Sequence, residues 1–387
     1  MSRKPVTTDN WTLPPFNRNS FQRVQTLFPT ARLCRGPGRV AEIGSTSGDL
    51  GDVTYTRIDH TTDTLRHLLS DTYTDAFLVA KDERILCEQY FNGMRPDSHH
   101  LLNSVTKSLV GMLSGIVVAR GQLDPDALVT EYLPEFADGA FAETRVRHTL
   151  DMTAAVAFDE DYDDPQTDFW VESAVAGWRP ELVTDELPRS LHDYARGLGE
   201  RAQHDGEKFC YRTVLTNVLG MVLERATGTD LAELLENALW SRLGAEHDAS
   251  IVVDRIGFPY VGAGMSCSAR DLLRFGLMIA NEGRLGGEQI VPAEWVQDTR
   301  RADAHTIDAF ARGEYGEVLP GAHYRNQCWV TDPIRGVILG VGIFGQTVYV
   351  NLATQTVIVK LSSQPRPRDL EMFMNSFAAM DAVSEAL

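Results

Sequence analysis

Segments typical of β-strands lie near both ends of this chain of 387 residues, and helical segments fill its middle. Residues 75–80 and 84–91 are two apolar runs separated by a short polar turn, which predicts a β-hairpin. Residues 337–344, 347–352 and 356–362 are three β-rich runs with short connections. The arrangement predicts an α/β (α+β) fold, with an antiparallel sheet built from both ends of the chain, flanked by helices, and an all-helical domain inserted between them.

The helical segments have recognisable start and stop signals. Residues 101–120 are apolar and rich in small residues, and they end at Gly121, as a buried helix with a glycine cap does. Ser268 and Asp271 have the spacing of a capping box at the start of a helix predicted over residues 269–281. Further helices are predicted over residues 146–152, 214–226, 231–243 and 368–387.

These patterns divide the chain into three parts. Residues 1–50 are predicted to be an irregular arm on the surface, because they are rich in Pro, Gly, Ser and Thr and show little periodicity. Residues 51–120 and 248–387 are assigned to the sheet domain, and residues 121–247 to the helical insertion. We expect the functional site between these two domains, where small-molecule clefts are common.

The charge of the chain limits its partners. With 54 acidic and 36 basic residues the net charge is −18, and only five lysines occur, none of them clustered, so we expect no nucleic acid and no membrane as partner. The five cysteines contain no C-x-x-C pair, which favours a reducing compartment over a disulfide framework. The first residues lack the apolar segment of a secretory signal. A cytoplasmic location is therefore predicted.

Ser104 and Lys107 form the only Ser-x-x-Lys pattern in the chain, at the start of the apolar helix. Residues three apart lie on the same face of a helix. A serine hydroxyl needs a base to take its proton, and lysine is such a base only when its surroundings lower its pKa. The apolar neighbours of Lys107 predict burial of this kind. The alternative is that Lys107 extends into solvent and that Ser104 is an ordinary polar residue at a helix start.

Tyr211, just before the helix predicted over residues 214–226, is a candidate for a third proton-handling group. A tyrosine in a loop usually packs with its hydroxyl in water, so this assignment depends on the rest of the pattern.

In their order along the chain, several short motifs resemble those of the serine β-lactamase and penicillin-binding-protein superfamily. Within it, the chain is most similar to the class C-like esterases and to the 6-aminohexanoate-dimer hydrolases. The motifs that carry the resemblance lie at residues 73–79, 100–109, 150–152, 160–165, 176–179, 224–228, 266–272, 342–346 and 357–363. They span most of the chain, and their shared order is much more specific than the Ser-x-x-Lys pattern alone.

The resemblance implies a β-lactamase/transpeptidase-like fold and a role for each matching residue. Ser104 matches the acylated nucleophile, Lys107 its partner base, and Tyr211 the tyrosine that passes a proton to the leaving group. An oxyanion hole needs two backbone N–H donors, and the resemblance implies the amide of Ser104 and one near residues 342–345, for which we favour Ile343.

Some positions depart from the patterns of the superfamily. Tyr211-Arg212-Thr213 replaces the Tyr-x-Asn of β-lactamases, and an uncharged stretch replaces their Lys-Thr-Gly strand, so hydrolysis of penicillins is not expected. Ser173 stands where the most active dimer hydrolases have an acidic residue that pairs with the substrate amine, and Gly262 stands where they have Asn. The 6-aminohexanoate-dimer hydrolases are nylon-oligomer hydrolases, and both differences weaken the prediction that this chain shares that activity.

Other positions keep the residues that the resemblance assigns to substrate binding. Tyr162 matches a tyrosine on a closing loop that assists amide cleavage, although it is also what an exposed aromatic residue in an acidic loop looks like. Trp178 matches a tryptophan that lines the same cleft. Ser173, Gly262 and Phe344 are predicted to contribute to the pocket for an acceptor molecule.

Other chemistries lack their motifs. The acidic run from Asp159 begins like a calcium loop, but Asp164 and Trp170 occupy the positions of its Gly and Glu, and His99 and His100 lack the spacing of a zinc motif. No Gly-x-Ser-x-Gly, Walker or Gly-x-Gly-x-x-Gly motif suggests another site. We therefore expect no metal and no cofactor.

The sequence thus predicts a serine hydrolase that acts on small carboxylic esters or linear amides through an acyl-enzyme on Ser104. An acyltransferase of secondary metabolism on the same fold is the first alternative, and a catalytically silent binding protein is the second. The expected partner is a small-molecule ester or amide, and a homodimer is compatible with this prediction.

Overall fold

The computed structural model describes residues 5–46 and 48–387. The strands are β1 (Thr30–Leu33), β2 (Gly44–Ser45), β3 (Thr54–Thr56), β4 (Thr62–Thr64), β5 (Thr74–Lys81), β6 (Arg84–Tyr90), β7 (His99–Leu101), β8 (Ala249–Val252), β9 (Met265–Ser268), β10 (Arg284–Leu285), β11 (Glu288–Gln289), β12 (His323–Arg325), β13 (Cys328–Asp332), β14 (Val337–Gly342), β15 (Gln346–Asn351) and β16 (Thr356–Ser362). The helices are α1 (Asn17–Ser20), α2 (Leu65–Asp71), α3 (Val105–Ala119), α4 (Val129–Tyr132), α5 (Val146–Leu150), α6 (Asp168–Val175), α7 (Leu191–Gly197), α8 (Thr213–Thr227), α9 (Leu231–Ala238), α10 (Ala269–Ala280), α11 (Ala293–Arg301), α12 (Ala304–Ala311) and α13 (Leu370–Ala386).

The main sheet has eight strands in the order β12-β13-β14-β15-β16-β5-β6-β2. Strand β5 from the N-terminal side pairs antiparallel with β16 from the C-terminal side, with Phe77 opposite Lys360. Every pairing in this sheet is antiparallel except that of the two-residue strand β2 with β6. The prediction of an antiparallel sheet assembled from both ends of the chain is confirmed.

Side chains alternate between the two faces of this sheet, so that each strand contributes to two cores. Phe77, Val79 and Ile358 pack on one face under α2 and α13. Leu78 and Val359 belong to the larger core on the opposite face, which α3 and α10 cover. Burial on both faces explains why these strands read as nearly continuous apolar runs in the sequence.

The N-terminal arm differs from its prediction. Residues 30–33 form β1, which pairs with β8 at one edge of a second, four-stranded sheet. Trp11 and Phe21 are buried in the larger core, and Trp11 packs edge-on against Trp178. The prediction of a wholly irregular surface arm is therefore wrong, because a few large aromatic residues anchor a segment whose overall composition is typical of a loop.

Several predicted helices and strands have different ends. The helix predicted from residue 101 begins at Val105, because residues 99–101 pair with β9 instead. The strand predicted over residues 337–344 ends at Gly342, where a 3₁₀ turn follows. The helix predicted over residues 231–243 ends at Ala238, and a short 3₁₀ turn follows it.

Between α3 and β8 the described chain forms α4 to α9 with connecting loops, the region that we assign to the helical insertion. We keep the boundaries at residues 50, 120 and 247 as an interpretation of this arrangement. None of the helices in the described part of the chain is long and apolar enough to cross a membrane.

Candidate active site

Ser104 lies at the junction between β7 and α3. The chain turns there through Asn103, whose φ of 47° is in the left-handed region that asparagine tolerates better than most residues. The Ser104 side chain does not cap the helix. Its Oγ is instead 2.9 Å from the Nζ of Lys107, one turn further along α3. Only 6% of Ser104 is exposed, and that part faces a cavity.

Lys107 is fully enclosed by protein. Besides Ser104, its Nζ contacts the Oγ1 of Thr213 at 3.0 Å and the carbonyl oxygen of Gly262 at 2.7 Å. Burial disfavours the charged ammonium and lowers the pKa of Lys107 to about 8, while the nearby carboxylates of Glu160 and Glu172 oppose this effect. About a tenth of the molecules therefore carry a neutral amine at pH 7, and such an amine can accept the Ser104 proton.

Tyr211 lies two residues before α8, and its side chain reaches Lys107. Its ring stacks on Trp329, with the ring centroids 5.5 Å apart, and the Nζ of Lys107 lies 5.0 Å from the Tyr211 ring centroid. Burial raises the pKa of Tyr211 well above its usual value, and an interaction with the Ser104 side chain opposes this only in part. Tyr211 is therefore a neutral phenol at physiological pH, suited to donating a proton.

The strand end after β14 lies directly against Ser104. A Cβ added to Gly342 would lie 3.0 Å from the Ser104 amide nitrogen and 2.5 Å from the carbonyl oxygen of Leu102, so only glycine fits. The carbonyl of the next residue, Ile343, accepts a hydrogen bond from the Asn103 side chain. Within residues 5–46 and 48–387, neither the Ser104 amide nor the Ile343 amide donates to a protein acceptor. Both are thus available as oxyanion donors.

Glu160, which the sequence analysis missed, connects the acidic loop to this centre. Its carboxylate accepts hydrogen bonds from the amide and the Oγ1 of Thr213, at 2.5 and 2.7 Å, and from the hydroxyl of Tyr162 at 2.6 Å. Burial raises the pKa of Glu160, and its hydrogen bonds and Lys107 oppose this increase. The hydrogen bonds run from Tyr162 through Glu160 and Thr213 to Lys107, so they connect the acidic loop to the candidate base Lys107.

A second buried network holds the opposite side of Lys107. The Oδ1 of Asn217 accepts a hydrogen bond from the Gly262 amide at 3.0 Å, and its Nδ2 donates to Glu172 at 2.9 Å. Burial raises the pKa of Glu172 to about 8. Glu172 stands among the apolar residues of α6, and an acid in such a segment is the one sequence signal that would have revealed it.

A cavity opens beside Ser104, and its empty space, part of which is open to solvent, amounts to about 730 Å³. Its wall is almost entirely apolar. The lining residues are Ser104, Tyr162, Tyr211, Tyr315, Val318, Leu319, Trp329, Thr331, Leu339, Val341, Gly342, Ile343, Arg368, Leu370, Phe373, Met374 and Phe377. The helix α13 thus supplies a large part of the wall, which the sequence analysis did not anticipate.

A more polar vestibule continues outward from this cavity. Tyr162, Tyr211, Tyr315 and Arg368 line both spaces and so mark the junction between them. The vestibule adds charged groups of both signs that the cavity lacks. They are Asp159, Glu160, Asp161, Glu314, Lys208, Arg212 and Arg312.

The residues predicted to bind substrate fall into two groups. Tyr162 lines the cavity, whereas Ser173, Trp178, Gly262 and Phe344 do not line either space and are buried. Their assignment to substrate binding therefore finds no support in the cavity lining.

Each of these four buried residues has a structural environment of its own. Ser173 donates a hydrogen bond to the carbonyl of Phe169, and Trp178 packs against Trp11 and Tyr260. Phe344 packs edge-on against Phe21. A Cβ on Gly262 would lie 2.4 Å from the Cγ2 of Thr213, so this backbone leaves no room for a side chain there.

A family comparison identifies the fold and its chemistry. The model of the family described as Beta-lactamase matches residues 62–379. The chain belongs to this family. It is 36% identical over 362 residues to the 6-aminohexanoate-dimer hydrolase of Paenarthrobacter ureafaciens, covering 93% of this chain and 89% of that protein. It is also 30% identical to Esterase EstB of Burkholderia gladioli over 178 residues, which are 43% of each chain.

Solved structures with the same fold include members of low sequence identity. A protein from Bacillus anthracis, provisionally assigned as a 6-aminohexanoate-dimer hydrolase, superposes with a TM-score of 0.87 at 24% identity and covers 100% of this chain and 98% of that one. The structure of EstCE1, described as a hydrolase with promiscuous acyltransferase activity, gives a TM-score of 0.62 at 17% identity and covers 82% of this chain and 96% of that one. The predictions of the fold and of a β-lactamase-related serine hydrolase are confirmed.

Proposed function

We propose that the protein cleaves small carboxylic esters and linear amides through an acyl-enzyme on Ser104. The observation that carries this proposal is the enclosed Lys107, whose Nζ lies 2.9 Å from the Ser104 Oγ at the wall of a cavity. A buried lysine that has no carboxylate in hydrogen-bond contact among the described residues is costly for a fold, and such groups concentrate at catalytic sites. The relatives named for hydrolysis of an amide dimer and of esters support the same chemistry.

In the proposed acylation step, the neutral amine of Lys107 takes the Ser104 proton while Oγ bonds to the carbonyl carbon of the substrate. The carbonyl π electrons move to oxygen, and the amides of Ser104 and Ile343 donate to the resulting oxyanion. Collapse of this intermediate restores the carbonyl and breaks the bond to the leaving group. Tyr211 gives its phenol proton to the leaving nitrogen or oxygen, and the ammonium of Lys107 returns a proton to Tyr211.

Deacylation repeats these steps with water in place of the leaving group. Tyr211 and Lys107 accept a proton from water as it attacks the acyl carbon, and the proton passes back to the Ser104 Oγ when the ester bond breaks. The products are a carboxylic acid and an alcohol or amine, and the enzyme returns to its starting state.

We assign Tyr162 and Glu160 the role of positioning Lys107 through Thr213. Tyr162 lines the cavity, and its hydroxyl donates a hydrogen bond to Glu160. Glu160 also accepts a hydrogen bond from Thr213 at the N-terminus of α8. Closure of the acidic loop over a substrate would therefore change the position of Thr213, which contacts Lys107 directly. Amides, whose nitrogen must be protonated before it leaves, depend on this arrangement more than esters do.

The relatives do not favour acyl transfer or a silent binding protein as the principal role of this chain. Acyl transfer is described for EstCE1, which shares only the fold with this chain. A cytoplasmic location, a homodimer and the division into a sheet domain and a helical insertion complete our proposal. The five free cysteines are compatible with a reducing compartment.

The proposal is tested by comparing a p-nitrophenyl ester with the p-nitroanilide of the same acid, and by identifying products in the presence and absence of a primary amine. We expect turnover of the ester, slower turnover of the anilide and free acid as the main product. The Tyr162→Phe variant should lose more rate on the anilide than on the ester. Accumulation of an amide at the expense of the acid would instead assign the protein to the acyltransferases.

A further inference from the structure

The substrate class can be narrowed from the lining of the two connected spaces, and this step rests on the proposed function. Ser104, Gly342 and Ile343 line the apolar cavity only, whereas Tyr211 lines both the cavity and the vestibule. The carbonyl group of a substrate must lie at Ser104 and Ile343, and its leaving group must face Tyr211. The acyl group therefore points into the apolar cavity, and the leaving group points toward the vestibule.

On the acyl side of the site, none of the described lining residues is a carboxylate that could pair with an ammonium group. Leu319, Leu339, Val341 and Phe373 are among the side chains that form the wall there. Ser173 is buried outside this lining. An ammonium group would lose its hydration in this cavity without gaining a carboxylate partner, so a positively charged acyl chain is disfavoured.

The leaving-group side has a cation in reach. Arg368 is the only basic residue that lines the apolar cavity within the described part of the chain, and it stands at the junction beside Tyr211. Its guanidinium carbon lies 5.9 Å from the ring centroid of Tyr162, and its side chain interacts with the hydroxyl of Tyr315. No carboxylate of the described residues lies within ion-pair distance of Arg368. Its planar fork of N–H donors is thus open to an incoming anion.

Two acidic residues of the vestibule already accept hydrogen bonds. Glu160 accepts three from Thr213 and Tyr162, and Glu314 accepts one from the amide of Tyr211 at 3.2 Å. Among the described residues that line both spaces, Arg368 is the only charged one, so the charge at the junction itself is positive. We propose that this enzyme prefers amides and esters that combine an uncharged apolar acyl group with a carboxylate on the leaving group, held by Arg368. N-acyl amino acids with apolar acyl chains are the simplest amides of this class.

Two ester pairs test this preference. The first pair is the heptanoyl ester of 4-nitrophenol and that of 5-hydroxy-2-nitrobenzoic acid, which differ only by a carboxylate on the leaving group. In the parent enzyme the carboxylate ester should have the higher kcat/KM. Because Arg368 is exposed at the mouth, we expect Arg368→Gln to lower the ratio of the two kcat/KM values by about fivefold to tenfold. The Arg368→Lys variant should keep part of the preference.

The matched control is Arg312→Gln. Arg312 lines only the vestibule and donates to the carbonyl of Glu207, so its loss should leave the ratio unchanged. The second pair compares heptanoyl with 6-aminohexanoyl esters of 4-nitrophenol, which match in length but differ in charge. We expect the heptanoyl ester to react at least about tenfold faster by kcat/KM.

The outcomes separate the two proposals. Turnover of the neutral ester with no preference for the carboxylate, or with a ratio that Arg368→Gln does not change, would overturn the assignment of Arg368 and leave the serine mechanism intact. A faster reaction of the 6-aminohexanoyl ester would overturn the assignment of the apolar cavity to the acyl group. Absence of turnover with all three esters would overturn the proposed function itself.

Discussion

Replacing Glu160 by Gln tests how the buried carboxylate controls the base. Lys107 and Glu160 share the Oγ1 of Thr213, which lies 3.0 Å from the Nζ and 2.7 Å from the Oε1. The two charges are therefore no more than about 6 Å apart, and at an effective dielectric constant of about 20 their attraction amounts to about 3 kcal/mol. This attraction favours the ammonium form of Lys107, so removing the carboxylate should lower the pKa of Lys107 by about 2.

The sign of the effect on activity follows from the form of Lys107 that reacts. Acylation needs the neutral amine, and the pKa of Lys107 is about 8 in the parent protein. The value of kcat/KM should therefore rise with pH through a midpoint near 8, with about a tenth of the maximum at pH 7. In Glu160→Gln the midpoint should move down to about 6, because the neutral amine is then reached at lower pH.

The assay is the pH dependence of kcat/KM for a p-nitrophenyl ester, followed at the wavelength where nitrophenol and nitrophenolate absorb equally. The plateau should fall as well, because the amide group of Gln cannot accept both hydrogen bonds from Thr213. The control is Glu314→Gln. Glu314 is an exposed carboxyl that lines the same vestibule but does not act on the pKa of Lys107, so the midpoint should stay in place. A midpoint in Glu160→Gln that is unchanged or higher would refute the reasoning.

Three further substitutions test other parts of the site. Gly342→Ala places a Cβ 3.0 Å from the Ser104 amide nitrogen, so kcat should fall by about 10²-fold or more, as it does when an oxyanion donor is lost. Gly199 lies in open space, so Gly199→Ala should have little effect in the same steady-state assay. Tyr211→Phe keeps the stacking on Trp329 but removes the proton donor, so turnover of a p-nitroanilide should fall by about 10²-fold or more while release of nitrophenolate, which needs no proton, falls less. Asn217→Ala leaves the Gly262 amide and Glu172 unpaired in the interior, so it should lower the free energy of urea unfolding by about 2–4 kcal/mol. Asn237→Ala, which loses one exposed hydrogen bond, should lower it far less. Equal losses of unfolding free energy in the two variants would contradict a stabilising role for the Asn217 hydrogen bonds.

Local sequence patterns were sufficient for the central part of the site. Ser104 and Lys107 are three residues apart on one helix, so their contact follows from helix geometry alone. Tyr211 is more than a hundred residues away, and its position was predicted only because the order of the motifs resembles a known family. A sheet that joins strands from both ends of the chain was predicted because both ends contain apolar runs with strong strand signals, and β5 does pair with β16.

The remaining parts of the site depend on contacts that no local pattern encodes. Arg368 and α13 reach the cavity because the C-terminal helix packs against the main sheet, whose strand β14 ends beside the cavity at Gly342. Glu160 lies in a run of acids that reads as a solvated loop, yet it is half-buried and its carboxylate accepts hydrogen bonds from Thr213 and Tyr162. The substrate-binding roles of Ser173, Trp178, Gly262 and Phe344 were inferred from the resemblance, and aligned positions do not determine which side chains reach a cavity.

The central claim is that Ser104 carries the acyl group, and intact-protein mass spectrometry under rapid mixing with a p-nitrophenyl ester tests it most directly. Peptide mapping should place a transient acyl adduct on Ser104 in the parent protein. The adduct and the release of nitrophenolate should be absent in Ser104→Ala. Ser108→Ala, one turn further along α3, loses a hydrogen bond to Gln327 and should still be acylated. An adduct on another residue, or ester turnover by Ser104→Ala at the parent rate, would contradict the account.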